Sequence, residues 1–168
     1  MTQEFKSSQP DSAVDPLLGG TGYLAHAESA DTLRSTEDRI RLQIPSMPLY
    51  LHSVRDFVYR LCLLHGLSKP LAFDMKLITG EALTNIMKHA YGSRADGSIF
   101  IDLLFFRTYL EIRFRDFGKQ SKQKPFGTDV SEYRLSGLGL YLISEIADYH
   151  YFDHSNGTLL VVKKRIAA

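Results

Sequence analysis

The chain reads as an α/β protein, a two-layer α/β sandwich with a mixed, mostly antiparallel sheet of about five strands and three helices on one face. Three observations predict it. Five short runs have strand character, the clearest alternating apolar and polar residues; three longer runs repeat apolar residues at helical spacing. Two of the helical runs stand between the first and second strands, and the third stands between the third and fourth.

The first strand is set by Ile40, Leu42 and Ile44 alternating with Arg39, Arg41 and Gln43. Ser46 and Pro48 open the first helix, whose apolar stripe is Val54, Phe57, Val58, Leu61 and Leu64, and Gly66 stops it. Ser68 and Pro70 start the second, with Leu71, Met75, Ile78, Ala82 and Ile86 as its apolar side, ending before Gly92. After a turn at 93–97, strands are expected at 98–106 and 109–116, joined at Arg107-Thr108. In the second of these, Leu110, Ile112 and Phe114 face in while Glu111, Arg113 and Arg115 face out. Residues 117–136 form a long loop with Lys119, Lys122 and Lys124, and loops beyond ~15 residues are often functional lids. A third helix covers about 138–148, followed by strands at 149–154 and 158–165. The turn between them holds Asn156-Gly157, a pair whose two central residues both tolerate positive φ.

Residues 1–37 are rich in Ser, Asp, Gly, Thr and Ala without periodicity. They read as a disordered N-terminal extension dispensable for the fold, leaving 38–168 as one domain. Gly19-Gly20-Thr21-Gly22 has the look of a phosphate loop, but no strand precedes it and no Gly-Lys-Ser/Thr follows, so it is assigned to the tail.

Composition narrows the function. At 168 residues, 44 % hydrophobic and 23 % charged, the chain suits one soluble domain. A net charge of +1 speaks against nucleic acid as a partner. The single cysteine, Cys62, rules out an internal disulfide and, in an apolar helical run, reads as core filler. No apolar run approaches the ~20 residues of a membrane span and no secretion signal opens the chain, so a cytoplasmic protein is expected. His26, His52, His65, His150 and His154 show no metal-ligand spacing.

Three places carry chemistry. Glu81, Asn85 and His89 recur every four residues and form one polar stripe on the second helix at ~3.6 residues per turn. A carboxylate, an amide and an imidazole in that order can orient a nucleophile, ligate a divalent cation and contact phosphate, although alone they read first as a solvated helix face. Asp116 is in phase with the inward residues of its strand, where a carboxylate is costly without a partner. With Gly118 permitting close approach, it is placed to accept a hydrogen bond from an exocyclic amine such as that of adenine. Gly137-Leu138-Gly139-Leu140 opens the third helix and would expose unpaired N–H groups suited to phosphate, a weak signal taken alone.

Together and in this order, these elements resemble the GHKL (histidine-kinase-like) ATPase superfamily. Glu81-Ala-Leu-Thr-Asn85-Ile-Met-Lys-His89-Ala-Tyr91 is similar to its N box, Asp116-Phe-Gly118 to its first glycine box, Ser136-Gly137-Leu138-Gly139-Leu140-Tyr141-Leu142 to its second, and Asn156-Gly157-Thr158 to its late Gly-Thr element. The wording of the N box resembles that of the bacterial anti-sigma-factor (switch-protein) serine kinases, and the resemblance covers about 38–166. It implies ATP with Mg²⁺ as the cofactor pair, Glu81 as general base, Asn85 as the magnesium ligand and His89 as a phosphate-side residue. Asp116 would bind the adenine amine with Thr158 nearby. Gly118, Gly137, Leu138, Gly139 and Leu140 complete the nucleotide site beneath a lid at 119–136. The implied partners are a STAS-domain anti-sigma-factor antagonist as substrate and a sigma factor, with homodimerisation. Two departures stand out: Gln120 where the first glycine box has a further glycine, and Leu135 where the kinases often carry Arg, with Arg134 one place earlier.

Two other functions share these residues. A nucleotide-binding module could sequester a sigma factor without transferring phosphate. The catalytic domain of a histidine kinase would need a two-helix phosphoacceptor domain, for which the stretch before residue 38 is too short.

Overall fold

The computed structural model describes residues 38–119 and 138–166. The strands are β1 (Asp38–Pro45), β2 (Ser98–Phe105), β3 (Tyr109–Asp116), β4 (Tyr149–Asp153) and β5 (Thr158–Arg165). One 3-10 turn at Pro48–Tyr50 leads into helix α1 (Leu51–Leu64); α2 spans Lys69–Asn85 and runs on into one turn of π-helix at Ile86–Ala90, and α3 spans Leu138–Ile146. The Gly19–Gly22 stretch, the rest of the tail and positions 120–137 lie outside the described residues.

The sheet order is β1-β2-β3-β5-β4, and all four pairings are antiparallel. Chain direction explains this. The helix pair α1–α2 returns the chain to the end of the sheet it left, so Pro45 sits opposite Ser98 and β2 runs back beside β1. The single helix α3 instead carries the chain to the opposite end, so β4 runs in the direction of β3. These two are not neighbours, because β5 lies between them. The α/β sandwich is thus built without a parallel pair.

One face of the sheet and the helices share a core. Ile99, Ile101, Leu103, Leu110, Ile112, Phe114, Leu160 and Val162 meet Val54, Val58, Cys62, Met75, Ile78 and Ala82. Ile112 lies at its centre, paired with Leu103 on one side and Val162 on the other. Ser68 caps α2 by accepting from the Leu71 N–H, and Gly66 closes α1 at φ +77°. Cys62 is core filler, and burial pushes its thiol up to about 12.

Two expectations need correction. In α1 the buried stripe steps by four through Val54, Val58 and Cys62, so Phe57 and Leu64 point outward, Leu64 being 81 % exposed. On β3, Glu111, Arg113 and Arg115 do lie on the sheet's other face, yet each is buried. Glu111 and Arg113 are paired there, and Arg115 donates to the Asn156 carbonyl. Arg113 Nε lies 2.5 Å and Lys163 Nζ 3.0 Å from the Glu111 carboxylate, and Arg41 Nε lies 2.8 Å from that of Asp102. Pairing lowers the cost of burying each charge.

Ile78 is fully buried on the side of α2 that meets the sheet. Ile78→Ala is expected to lose about 2–5 kcal/mol of stability, read as a lower urea midpoint with an unchanged slope.

Candidate functional site

A cleft opens between the end of α2, the start of α3 and the inner face of β3 and β5. Its walls are mostly apolar: Ala82, Ile86, Ala90, Phe114, Leu140, Phe152 and Leu160. Asn85, His89, Asp116, Lys119 and Thr158 supply the polar groups.

Asp116 ends β3 opposite Thr158 of β5, and its side chain is 2 % exposed. Oδ1 accepts from the Gly118 N–H at 3.0 Å, while Oδ2 has no donor among the described residues. Burial pushes the carboxyl above the ordinary carboxylate range; the Gly118 N–H, His154 and Arg115 pull it down without cancelling that effect.

Glycines bring backbone against this carboxylate. A Cβ on Gly118 would overlap the Ala90 carbonyl group, and the Lys119 N–H donates to that same Ala90 oxygen at 2.8 Å. Gly157, at φ +73°, lies so close to the Asp116 carbonyl that no side chain fits. In the β4–β5 turn Gly157 takes positive φ but Asn156 does not, unlike the hairpin pair the sequence suggested. The connection is longer, and Asp153 shapes it by accepting from the Ser155 N–H and hydroxyl.

The π turn at the end of α2 is the local device that places the helix residues. The Tyr91 N–H reaches back five residues to the Ile86 carbonyl at 3.2 Å. The Tyr91 hydroxyl then donates to the Ser98 carbonyl at 2.7 Å and accepts from the Phe117 N–H at 3.1 Å. One side chain thereby ties the helix end to the start of β2 and the exit of β3. Asn85 and His89 both line the cleft across this turn, Asn85 half-buried and His89 still exposed to solvent. Glu81 lies one turn earlier, beside α3: a Cβ on Gly139 would stand 2.5 Å from Glu81 Oε2 and 3.3 Å from Asn85 Nδ2.

Of the residues singled out by sequence, Asn85, His89, Asp116, Leu140 and Thr158 line one cleft, with Glu81 and Gly139 together at its edge and Gly118 behind Asp116. Leu138 is 74 % exposed at the first position of α3 and does not line it. Gly137, Gln120, Arg134, Leu135, Lys122 and Lys124 lie outside the described residues. Ala90 and Tyr91 stood in the sequence only as the last two positions of the N-box motif, with no role given to either, and Phe152 and Leu160 were not singled out. For Leu160 the signal was its phase, two residues beyond Thr158 on the same strand.

An adenine nucleotide fits this donor set. Apolar walls suit a flat base, and Asp116 offers an acceptor to an exocyclic amine. The Asn85 amide nitrogen is buried without a hydrogen-bond partner at the edge of the cleft. No group of three or more His, Cys, Asp and Glu capable of holding a metal occurs among the described residues.

The histidine kinase-like ATPase domain family matches residues 44–164, and the chain belongs to that family. Within it, the sequence is similar to the serine-protein kinase RsbW of Listeria monocytogenes serovar 1/2a, with 32 % identity over 143 residues, covering 80 % of this chain and 91 % of the relative. The RsbW serine-protein kinases of Oceanobacillus iheyensis (28 % over 142 residues, 79 % and 90 % covered) and Bacillus subtilis strain 168 (26 % over 141 residues, 79 % and 88 % covered) are similar as well. No helix among the described residues is long and apolar enough to cross a membrane.

The raised Asp116 ionisation has a consequence for stability. A carboxyl that holds its proton more tightly folded than unfolded destabilises the fold once pH exceeds the unfolded value, and fully so above the folded one. Asp116→Asn keeps an acceptor for Gly118 and removes the charge. The variant is expected to melt higher than the parent at neutral pH, with the difference shrinking as pH falls into the carboxylate range; paired thermal melts across pH check this.

Proposed function

We propose that this cleft binds ATP or ADP with Mg²⁺ and that the chain is an anti-sigma-factor serine/threonine kinase, transferring the γ-phosphoryl group to a hydroxyl of a STAS-type antagonist in the cytoplasm. The observation that carries this reading is one cleft with an apolar, carboxylate-floored end at Asp116 and an edge where Glu81, Asn85 and Gly139 converge. Similarity to proteins named serine-protein kinases supports phosphoryl transfer as the reaction.

In this reading Asp116 accepts from the adenine amine, and Ile86, Phe114, Phe152 and Leu160 enclose the base. Thr158, across from Asp116, adds a hydroxyl at the same end. Asn85 would hold Mg²⁺ through its amide oxygen, and the ion, when bound, neutralises charge on the phosphates. His89 and Lys119 serve the phosphate chain, together with the glycine-rich entry to α3. Glu81 takes the proton of the attacking hydroxyl. Gly139 matters because it leaves room for the Glu81 carboxylate. The partners in this reading are the antagonist and a sigma factor, with the kinase acting as a homodimer.

Asn85→Ala is expected to weaken Mg²⁺-dependent ADP binding in calorimetry and to lower transfer. Glu81→Ala should leave ADP affinity nearly intact while slowing phosphorylation of an added STAS partner about 10²–10⁴-fold. Gly139→Ala should slow transfer as Glu81→Ala does and also weaken ADP binding, because the new methyl group crowds both the Glu81 carboxylate and the Asn85 amide. A wild-type protein that binds ADP and its partner yet transfers no phosphate would be a sequestering module instead.

A further inference from the structure

Arg115 has no part in the cleft, yet it is held as firmly as the residues that have. It lies on the outer face of β3, one position before Asp116, and is only 3 % exposed. Its Nη1 donates to the backbone carbonyl of Asn156, and its Nε is buried without a partner. Asn156 precedes Gly157, the residue pressed on the Asp116 carbonyl, and Thr158, the residue paired with Asp116. A guanidinium thus reaches under the β4–β5 turn from the far side of the sheet, where a shorter or floppier side chain could not keep its fork in place.

We propose that Arg115 is a positioning residue for the adenine end of the site: by holding the Asn156–Gly157 turn against β3, it sets the spacing between Thr158 and Asp116 that a base must match. The inference rests on the nucleotide reading given above. Its charge has a second effect. Arg115 and His154 draw the Asp116 carboxyl down, while burial pushes it up. Arg115 also helps hold Asp153, which shapes the same turn, below its usual range, behind the larger effect of the Ser155 donors. The other groups around Asp116 are Tyr91, on which Asp116 itself acts, and His89 and Lys119 in the cleft wall. Removing the guanidinium therefore both loosens the turn and lets Asp116 take up its proton at higher pH.

The test is calorimetric titration of the full-length chain with Mg²⁺ and ADP from acid to neutral pH, for wild type, Arg115→Gln and Arg115→Lys. ADP affinity of Arg115→Gln should fall about tenfold at neutral pH, the scale of one charge-assisted hydrogen bond. The pH at which binding is half lost on the acid side should move upward in that variant. Arg115→Lys keeps the charge and loses the fork, so its affinity should fall while its acid-side midpoint stays at the wild-type value. A merely structural role would not separate the two variants by midpoint. Wild-type affinity in Arg115→Gln, or an unmoved midpoint there, overturns the proposal. Should Arg115→Gln not fold, wild-type ADP affinity in Arg115→Lys overturns it alone. Absence of ADP binding by the wild-type chain would instead overturn the nucleotide reading on which the proposal stands.

Discussion

A carboxylate buried at the end of a central strand constrains everything near it. Asp116 is taken from water into a wall of Phe114, Ile86 and Leu160, and only one of its oxygens receives a backbone donor. Such a group costs free energy until a ligand completes its hydrogen bonding. Its surroundings must therefore be stiff enough not to collapse over it. Stiffness comes from backbone pressed on backbone: Gly118 against Ala90, Gly157 against Asp116, with the Tyr91 hydroxyl bonded to two further strand ends. Each contact requires the absence of a side chain or one correctly placed hydroxyl. The glycines here are packing residues as much as turn residues.

The helix opposite meets a different constraint. α2 must cover the sheet with Met75, Ile78 and Ala82 while turning Asn85 and His89 into a cavity beside it. A regular helix keeps both stripes at a fixed angle over its whole length. The π turn at Ile86–Ala90 widens the last turn, so Ile86, His89 and Ala90 all reach the cleft while the Ala90 carbonyl is free to accept from Lys119. Stability and function are thus separated along one helix: its middle belongs to the core, its end to the site.

Much of this was legible in sequence, for physical reasons. Alternation in β1 and β3 and the step of Leu71, Met75, Ile78, Ala82 and Ile86 report which side of an element leaves water. The inward phase of Asp116 followed from counting by twos. What remained hidden depends on partners distant in the chain. Phe57 and Val58 are adjacent apolar residues of α1, and only packing against α2 and the sheet decides that Val58 is buried and Phe57 is 38 % exposed. Glu111, Arg113 and Arg115 read as solvent-facing because they are charged. Their burial depends on cross-strand neighbours such as Lys163, far away in sequence. No residue type announces a π turn, and no spacing tells that Gly139 abuts Glu81.

The two ends of the cleft are built from unequal materials. The Asp116 end rests on paired strands, whose registers run without interruption from Ile99 through Asp116 to Thr158. At the Glu81 end, the contact is between a side chain and α3, whose one fully buried residue is Ile143; Leu140 and Ile146 pack there only in part. Anchoring of that kind yields before strand pairing does, because it rests on little buried apolar surface. A displacement of α3 would change the room available to Glu81 and Asn85 through Gly139, while leaving the Asp116–Thr158 pairing where it is. In the proposed reading, base recognition and proton abstraction would then be governed by separate parts of the fold, and a nucleotide could be held at one end while the other is still being assembled.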